Sequence, residues 1–317
     1  MPYRRSLLAL PFLAVPARAA FTRTIRVIVP FPPGGGVDVF ARILAPGLAA
    51  ALGQQVVVEN IGGASSRLGT QAVLRAAPDG HTLLVTNDTL AAIEALPVAG
   101  AGPFLAGLAP VLLGVASPQL LVTHPRSGII DAAGYAARLR ARQALNVGVP
   151  GLGSSQHFAS ELLAQALGGR PEHVPYRGGG PLLADLLAGV VDAGVVTLGA
   201  GIEQVRDGRL VGLGVTGAGR SPAAPEIPAF AEHAAPGFRI ETWMGLLAPR
   251  ETPPALLAAL HQAGLAALQT PTATHRLAAL GFETRGEGPE TFGALLRDTA
   301  GRFGAIAQQL GLRGGDA

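Results

Sequence analysis

Residues 25–38 have the sequence IRVIVPFPPGGGVD. The apolar run at its start predicts a buried strand, the three glycines predict a turn, and a helix is expected to begin at about Val37. A glycine turn leaves backbone N–H groups uncovered beside the positive end of the helix dipole, and such a position favours an anion. This stretch therefore predicts an anion site at the carboxyl end of a strand.

A second turn of the same design lies in residues 145–157, whose sequence is LNVGVPGLGSSQH. It also follows a short apolar run, and it precedes a predicted helix that begins near Ser155. Two such sites in one chain predict two lobes that close on one small anionic ligand.

Predicted strands and helices alternate along the first part of the chain. Strands are expected at 25–30, 55–59 and 82–86, and helices at 38–52 and 68–77. This βαβαβ order predicts an α/β fold with a mostly parallel sheet that is flanked by helices. In such sheets, ligands bind at the carboxyl ends of the strands.

The same alternation resumes in the middle of the chain, and the extended segments 119–123 and 242–248 are predicted to cross between the lobes. Residues 95–123 contain no charged side chain, but their four prolines would break a membrane-spanning helix. We expect short buried strands and loops in that segment instead.

The composition excludes several kinds of chemistry. The 317 residues are 49% apolar, which is enough for two ordinary α/β domains. Because there is no cysteine, disulfides, thiolate nucleophiles and cysteine metal ligands are excluded. All 24 basic residues are arginine, so a Schiff-base lysine and a P-loop lysine are also excluded. Val39 breaks the dinucleotide-binding glycine spacing, and no nucleotide or other cofactor is predicted.

Residues 1–20 are predicted to be an export signal that is cleaved near Ala19 or Ala20. They combine a basic start, a short apolar run and small residues at the end, and the pair Arg4 and Arg5 also resembles a twin-arginine signal. The formal net charge of +3 resides in this segment, so the remaining chain is near neutral. No basic run supports binding to nucleic acid.

Seven short motifs, taken in their order and spacing, resemble the substrate-binding receptors of tripartite tricarboxylate transporters, also called Bug receptors. The motifs are IVPFPPGGGVD at 28–38, VEN at 58–60, APDGHTLL at 77–84, GSSQH at 153–157, HVPYRG at 173–178, DLLAG at 185–189 and TWMG at 242–245. The resemblance covers essentially the whole chain after the predicted signal. It implies a two-lobed periplasmic binding protein, a clamshell that holds a small carboxylate in its cleft and serves membrane permease subunits.

The resemblance also implies how the chain divides between the lobes. After the signal at 1–20, residues 21–123 would form the first part of lobe 1, and residues 124–241 would form lobe 2. Residues 242–317 would supply a hinge strand and return to lobe 1. We expect a monomer without a cofactor that binds a dicarboxylate, a tricarboxylate, an amino acid or an aromatic acid.

Carried over motif by motif, the resemblance implies a set of ligand contacts from both lobes. The loops at 31–36 and 153–155 would offer backbone N–H groups to a carboxylate, and Asp38 would cap the helix after the first loop. Ser65, Ser66, Arg67 and Thr197 are added as expected contacts from positions where the chain departs from the family. The full set of expected contacts is Phe31, Pro33, Gly34, Gly35, Gly36, Asp38, Ser65, Ser66, Arg67, Thr86, Gly153, Ser154, Ser155, His157, Tyr176, Arg177, Gly178 and Thr197.

The chain departs from the family pattern in three places. Ser65, Ser66 and Arg67 replace a glycine-rich run, so Arg67 is expected either to pair with a ligand carboxylate or to point to solvent. Asp88 follows a strand end that is usually uncharged, and it would repel a carboxylate if it faced the cleft. Thr197 ends a strand that usually closes with an aromatic residue and Asp, so a more apolar cleft is expected.

Other functions remain open at this level. Ser155 and His157 could meet as a nucleophile and a base in a periplasmic hydrolase, although the hydrolase nucleophile elbow is absent. His157 could equally contact a ligand or pack structurally. The seven histidines show no metal-binding spacing, so no metal site is predicted. The favoured interpretation is a solute receptor that is not an enzyme. The hydrolase is the second interpretation, and a sensory receptor is the third.

Overall fold

The computed structural model describes residues 21–96, 103–141 and 143–311, so the predicted export signal lies outside the described residues. In chain order, the strands are β1 (Ile25–Val29), β2 (Val56–Asn60), β3 (Thr82–Asn87), β4 (Leu108–Thr123), β5 (Asn146–Val149), β6 (Glu172–Pro175), β7 (Ala193–Thr197), β8 (Val211–Val215), β9 (Glu241–Pro249) and β10 (Glu283–Glu287). The helices are α1 (Gly36–Leu52), α2 (Arg67–Leu74), α3 (Thr89–Ala95), α4 (Ala132–Arg140), α5 (Ser155–Ala166), α6 (Gly179–Ala188), α7 (Leu198–Arg206), α8 (Phe230–His233), α9 (Pro254–Leu268), α10 (Pro271–Ala279) and α11 (Pro289–Leu310).

Two groups of three parallel strands form the centres of two lobes. In lobe 1 the strand order is β2-β1-β3, and in lobe 2 it is β6-β5-β7. Strand β9 pairs antiparallel with β3 of lobe 1, and strand β4 pairs antiparallel with β7 of lobe 2. Because β4 and β9 also pair antiparallel with each other, they join both groups into one sheet. The predicted α/β clamshell with two crossover strands is therefore confirmed, with antiparallel crossovers added to each parallel group.

Strand β4 corrects the expectation of short strands and loops in residues 95–123. It is a single strand of 16 residues that pairs with β9 up to Pro118 and then with β7 and β8 from Gln119. Pro110 lies next to a register shift, and Pro118 lies where the pairing passes from one lobe to the other. A strand tolerates proline at such irregular positions because no ladder hydrogen bond is lost there.

The C-terminal helices pack on lobe 1. Phe40, Leu44 and Leu48 on α1 are buried in the same apolar cluster as Leu260 and Leu277 of α9 and α10. A separate cluster buries α11 residues with the apolar side of α3. Among the described residues, none of the helices combines the length and apolar character needed to cross a bilayer.

Several helices begin directly after the carboxyl end of a parallel strand. In lobe 1, α1 follows β1 and α3 follows β3, and in lobe 2, α5, α6 and α7 follow β5, β6 and β7. The amino-terminal ends of these helices are therefore directed toward the cleft between the lobes.

Candidate functional site

A small cavity of about 30 Å³ lies between the lobes. Its walls combine apolar side chains with a few polar groups, and none of the lining residues is charged. The lining residues are Phe31, Gly35, Gly36, Val37, Asn87, Pro150, Gln156, Gly179, Val196, Thr197 and Ala200. Four of the predicted contacts, Phe31, Gly35, Gly36 and Thr197, line it.

Four helix N-termini meet at this cavity. The first turns of α1, α5, α6 and α7 contribute Gly36, Gln156, Gly179 and Ala200 to its wall. The first N–H groups of a helix lack an intrahelical partner, and the helix dipole places partial positive charge there. Because glycine precedes both α1 and α6, no side chain caps their N–H groups. The arrangement favours an anion without any cationic side chain.

The lobes are closed against each other at glycines. An added Cβ on Gly180 would lie 2.2 Å from the carbonyl oxygen of Pro33 in the opposite lobe. An added Cβ on Gly36 would lie 2.3 Å from the Thr197 hydroxyl oxygen, also across the cleft. Glycine is required at Gly180 because the opposing backbone approaches closely, and at Gly36 because the Thr197 side chain fills the space.

Asp38 organises the loop of lobe 1 and does not cap α1 as predicted. Gly35 is the N-cap, and the Asp38 carboxylate accepts hydrogen bonds from the Gly34 N–H at 3.0 Å, Arg42 Nε at 3.0 Å and Asn60 Nδ2 at 2.9 Å. Burial opposes ionisation, but these hydrogen bonds outweigh it and hold the pKa of Asp38 below its ordinary value. The Gly34 N–H is thus already bonded inside the protein.

The loop of lobe 2 is organised in the same manner by His157. The Gly153 N–H donates to His157 Nδ1 at 3.1 Å, and Ser154 Oγ caps α5 by accepting from the His157 N–H at 3.2 Å. The predicted Gly153 donor is therefore bonded internally. The first turn of α5 contributes Gln156 to the cavity wall, so the first-turn N–H groups that Ser154 leaves uncapped are the candidate donors from lobe 2.

Ser155 and His157 do not form the hydrogen bond that a hydrolase mechanism requires. The Ser155 hydroxyl donates to Gln156 Oε1 at 3.1 Å, whereas His157 Nδ1 accepts from Gly153. Burial, followed by the nearby charge of His173, lowers the pKa of His157 to about 4, while Glu161 opposes the shift. His157 is therefore a neutral structural residue in the closed protein.

The fold brings together a polar cluster that the sequence did not reveal. Side-chain atoms of His157, Glu161 and His173, which could ligate a metal, lie within 4.8 Å of one another because α5 packs beside β6. Sequence spacing could not show this, since His173 comes from a different element. However, the Gly153 N–H requires an unprotonated Nδ1, so the neutral His157 ring carries its proton on Nε2, which faces Glu161 at 3.9 Å. A proton at Nε2 occupies the position that a metal would need.

Two predicted threonines present unpaired hydroxyls. Thr197 Oγ1, on the cavity wall, and Thr86 Oγ1, at the end of β3, are buried and have no hydrogen-bond partner among the described residues. A buried hydroxyl without a partner is costly, and a bound ligand or water would satisfy it.

Arg67 fits neither of its two predicted roles. It is 4% exposed, and its guanidinium donates to the carbonyl oxygens of Leu96 at 2.8 Å and Ala64 at 3.3 Å. Burial lowers its pKa. Leu96 ends α3, so the cation lies at the negative end of that helix dipole rather than in the cleft.

The other predicted contacts lie around the cavity without lining it. Ser65 bonds to Leu152 across the lobes, and Ser66 is buried at the start of α2. Tyr176 donates its hydroxyl to Asp185 Oδ2 at 2.8 Å, Arg177 is exposed, and Gly178 is the N-cap of α6. Burial and the Asp185 carboxylate raise the pKa of Tyr176 to about 12. The structure does not bring the Tyr176 and Arg177 side chains to the ligand cavity.

Asp88 does not line this cavity, and it therefore does not repel a ligand carboxylate there. It is 1% exposed and accepts a hydrogen bond from the Thr242 hydroxyl at 2.6 Å. Burial raises its pKa to about 7, while the hydroxyls of Thr242 and Ser155 oppose the shift. Asp88 thus lies where lobe 1, strand β9 and the start of α5 meet.

Seven lining residues escaped the sequence analysis. They are Val37, Asn87, Pro150, Gln156, Gly179, Val196 and Ala200. One clear signal was available, because residues 176–181 read YRGGGP and form a third glycine turn between a strand and a helix. Val196 and Ala200 carry no such signal, since only packing of β7 and α7 against lobe 1 places them there.

One sheet shared by two lobes, with helix N-termini meeting at a closed cavity, defines the class of two-lobed solute-binding proteins. Residues 40–312 match the model of the tripartite tricarboxylate transporter family receptor, and the chain belongs to this family. The family predicted from the motifs is confirmed.

Known relatives resemble nearly the whole chain. Protein BugT of Bordetella pertussis is 34% identical over 298 residues, which cover 92% of this chain and 90% of BugT. The periplasmic binding protein BugD superposes with a TM-score of 0.87 at 27% identity, covering 92% of this chain and 98% of BugD. MatC from Rhodopseudomonas palustris, solved with bound malate, superposes with a TM-score of 0.85 at 32% identity, covering 90% and 98% of the two chains.

Proposed function

We propose that this protein is a periplasmic receptor that captures a small carboxylate between its lobes and delivers it to the membrane subunits of a tripartite tricarboxylate-type transporter. The observation that supports this most directly is the meeting of four helix N-termini at one cavity without charged lining residues. Malate bound to the related MatC is consistent with a carboxylate ligand.

The electrostatics of the cavity suit a small anion. Each helix N-terminus carries roughly half an elementary positive charge, and its effect is strongest within the first turn. Free N–H groups on α1 and α5 would bind carboxylate oxygens from opposite lobes, and the Thr197 hydroxyl would add a donor. Such a site binds an anion without removing an arginine or lysine from water.

Capture would couple to lobe closure. A carboxylate that touches both lobes binds the closed state more tightly than the open state. The difference between these two binding free energies shifts the equilibrium toward the closed state. We place the rotation at β4 and β9, with residues 21–123 and 242–317 moving as one lobe and residues 124–241 as the other. The closed monomer would be the form that the permease subunits recognise, and no catalytic step is needed.

A thermal-shift screen of the purified protein with monocarboxylates, dicarboxylates, tricarboxylates and amino acids tests this function. A carboxylate at 100 times its Kd should add about 2.7 kcal/mol to the free energy of unfolding, a shift of about 5–10 °C at this chain length. The neutral methyl ester of each active compound is the control and should give no shift. The proposal fails if no carboxylate raises the melting temperature while esters are hydrolysed.

A further inference from the structure

The loop between β5 and α5 depends on few hydrogen bonds for its shape. Gly151 and Gly153 both have positive φ angles, 124° and 72°, so their backbone is intrinsically permissive. Within the loop, the Ser154 N–H donates to the Gly151 carbonyl oxygen at 3.2 Å. The Gly153 N–H, at the last flexible position before α5, is held by the His157 ring.

The geometry specifies one tautomer of His157. A backbone N–H can only donate, so Nδ1 must accept and the ring proton must reside on Nε2. Nε2 faces Glu161 Oε1 at 3.9 Å, and the same oxygen lies 3.3 Å from His173 Nδ1. His173 Nε2 in turn lies 2.9 Å from Ser160 Oγ. A carboxylate beside Nε2 stabilises the proton at that position.

From this geometry we infer that His157 is a positioning residue for ligand binding, whose Nδ1 fixes the Gly153 peptide so that the first turn of α5 faces the cavity. The inference rests on the proposed carboxylate-binding function. His157 itself touches no ligand, since it is 2% exposed and does not line the cavity. Glu161 and His173 act one step further away by selecting the tautomer.

Two variants separate the Nδ1 acceptor from the rest of the ring. In His157→Asn the amide oxygen can occupy the position of Nδ1, whereas in His157→Gln the longer amide reaches the position of Nε2. Both variants are neutral and both remove the imidazole, so each is the matched control for the other. We expect His157→Asn to bind malate, or the strongest carboxylate of the thermal screen, within about threefold of wild type. His157→Gln should bind it roughly tenfold more weakly, because the buried Gly153 N–H then lacks its acceptor.

A direct readout does not depend on ligand. In uniformly ¹⁵N-labelled protein, the N–H···N bond should give a scalar coupling between the Gly153 amide nitrogen and His157 Nδ1, and the ¹⁵N shifts of His157 should show the Nε2–H tautomer. Without ligand, both variants should melt within a few degrees of wild type. A general packing role would instead lower both affinities and both melting temperatures equally.

The outcomes are distinguishable. Equal affinities of the Asn and Gln variants, or an Nδ1–H tautomer without the coupling, would overturn the inference and leave the receptor function intact. Failure of wild-type protein to bind any carboxylate contradicts the proposed function, and with it the binding role of His157, even where the coupling is present.

Discussion

The Ser65 hydroxyl in lobe 1 donates a hydrogen bond to the Leu152 carbonyl oxygen in lobe 2, at a distance of 3.0 Å. Ala64, Ser65 and Ser66 all have positive φ angles, 47°, 49° and 78°, which are unfavourable for residues other than glycine. The strained segment therefore carries a contact that exists only when the lobes are closed. Ser65 is bonded to the opposite loop rather than to the cavity.

Ser65→Ala should weaken carboxylate binding by about two- to fivefold, because one hydrogen bond specific to the closed state is lost. Calorimetric titration with malate, or with the strongest carboxylate of the thermal screen, measures the change. Ser127→Ala is the matched control, since the Ser127 hydroxyl accepts from Ile129 inside lobe 2. An affinity loss in the control as large as in Ser65→Ala would contradict a closure contact.

Gly180→Ala should block closure. The added methyl group would lie 2.2 Å from the Pro33 carbonyl oxygen in the closed state, although alanine is favourable within α6 itself. We expect an affinity loss of about 10- to 100-fold with an unchanged or slightly higher melting temperature without ligand.

Gly301→Ala is the control for this substitution, because a Cβ on Gly301 in α11 would meet no atom of the described residues within 4 Å. Small-angle scattering with saturating ligand should show compaction in Gly301→Ala and not in Gly180→Ala. Normal compaction of Gly180→Ala would show that the glycine contact is dispensable.

Thr197→Val tests the unpaired hydroxyl on the cavity wall. Valine keeps the shape of threonine, so stability without ligand should stay the same or rise, while carboxylate affinity should fall by about tenfold. Thr252→Val is matched to it, since Thr252 Oγ1 is also buried without a partner among the described residues but lies outside the cavity. Unchanged titrations for both variants would remove Thr197 from the ligand contacts.

Asp88 should make stability depend on pH. Its pKa is raised from 3.8 to about 7 in the folded state, so between those values the folded protein binds more protons than the unfolded chain. The contribution of Asp88 to the free energy of unfolding is therefore lost as the pH rises from about 4 to 7. His157 acts in the opposite direction, because its pKa falls from 6.5 to about 4 and the unfolded chain binds the extra proton.

The difference in melting temperature between Asp88→Asn and wild type isolates the effect of the Asp88 carboxyl group, because His157 contributes to both proteins. We expect the melting temperature of Asp88→Asn, relative to wild type, to rise steadily from pH 4 to pH 7. Asp298→Asn, which removes a carboxyl on the surface of α11, should keep the wild-type pH profile. A constant offset between Asp88→Asn and wild type would show that Asp88 is not proton-linked to folding.

Arg67→Ala should affect stability and not ligand choice. Loss of the guanidinium leaves the buried Leu96 carbonyl without this donor, which costs about 1–3 kcal/mol of unfolding free energy. Denaturant unfolding measures that loss, with the exposed Arg126→Ala as control. The ratio of dicarboxylate to monocarboxylate affinity should stay at its wild-type value, and a selective loss of dicarboxylates would restore Arg67 as a ligand contact.

Much of the fold was predictable because its signals are local. The strand, glycine turn and helix from Ile25 to Leu52 lie where the pattern predicts them, since apolar runs and glycines act within a few residues. The long strand β4 was not predictable, because its prolines are tolerated only where pairing passes from β9 to β7 or shifts register. That arrangement depends on strands distant in sequence.

The candidate site also has a part that local sequence signals predict and a part that depends on tertiary packing. The sequence alone determined a turn before a helix start in each lobe and the receptor family, because both depend on short motifs in fixed order. Only the tertiary structure decided which donors face the cleft, since Gly34 and Gly153 are bonded to Asp38 and His157. It also buried Arg67 against α3 and added α6 and α7 to the cavity. A hydrogen-bond partner and a lining position depend on packing between distant elements, and no local pattern encodes that packing.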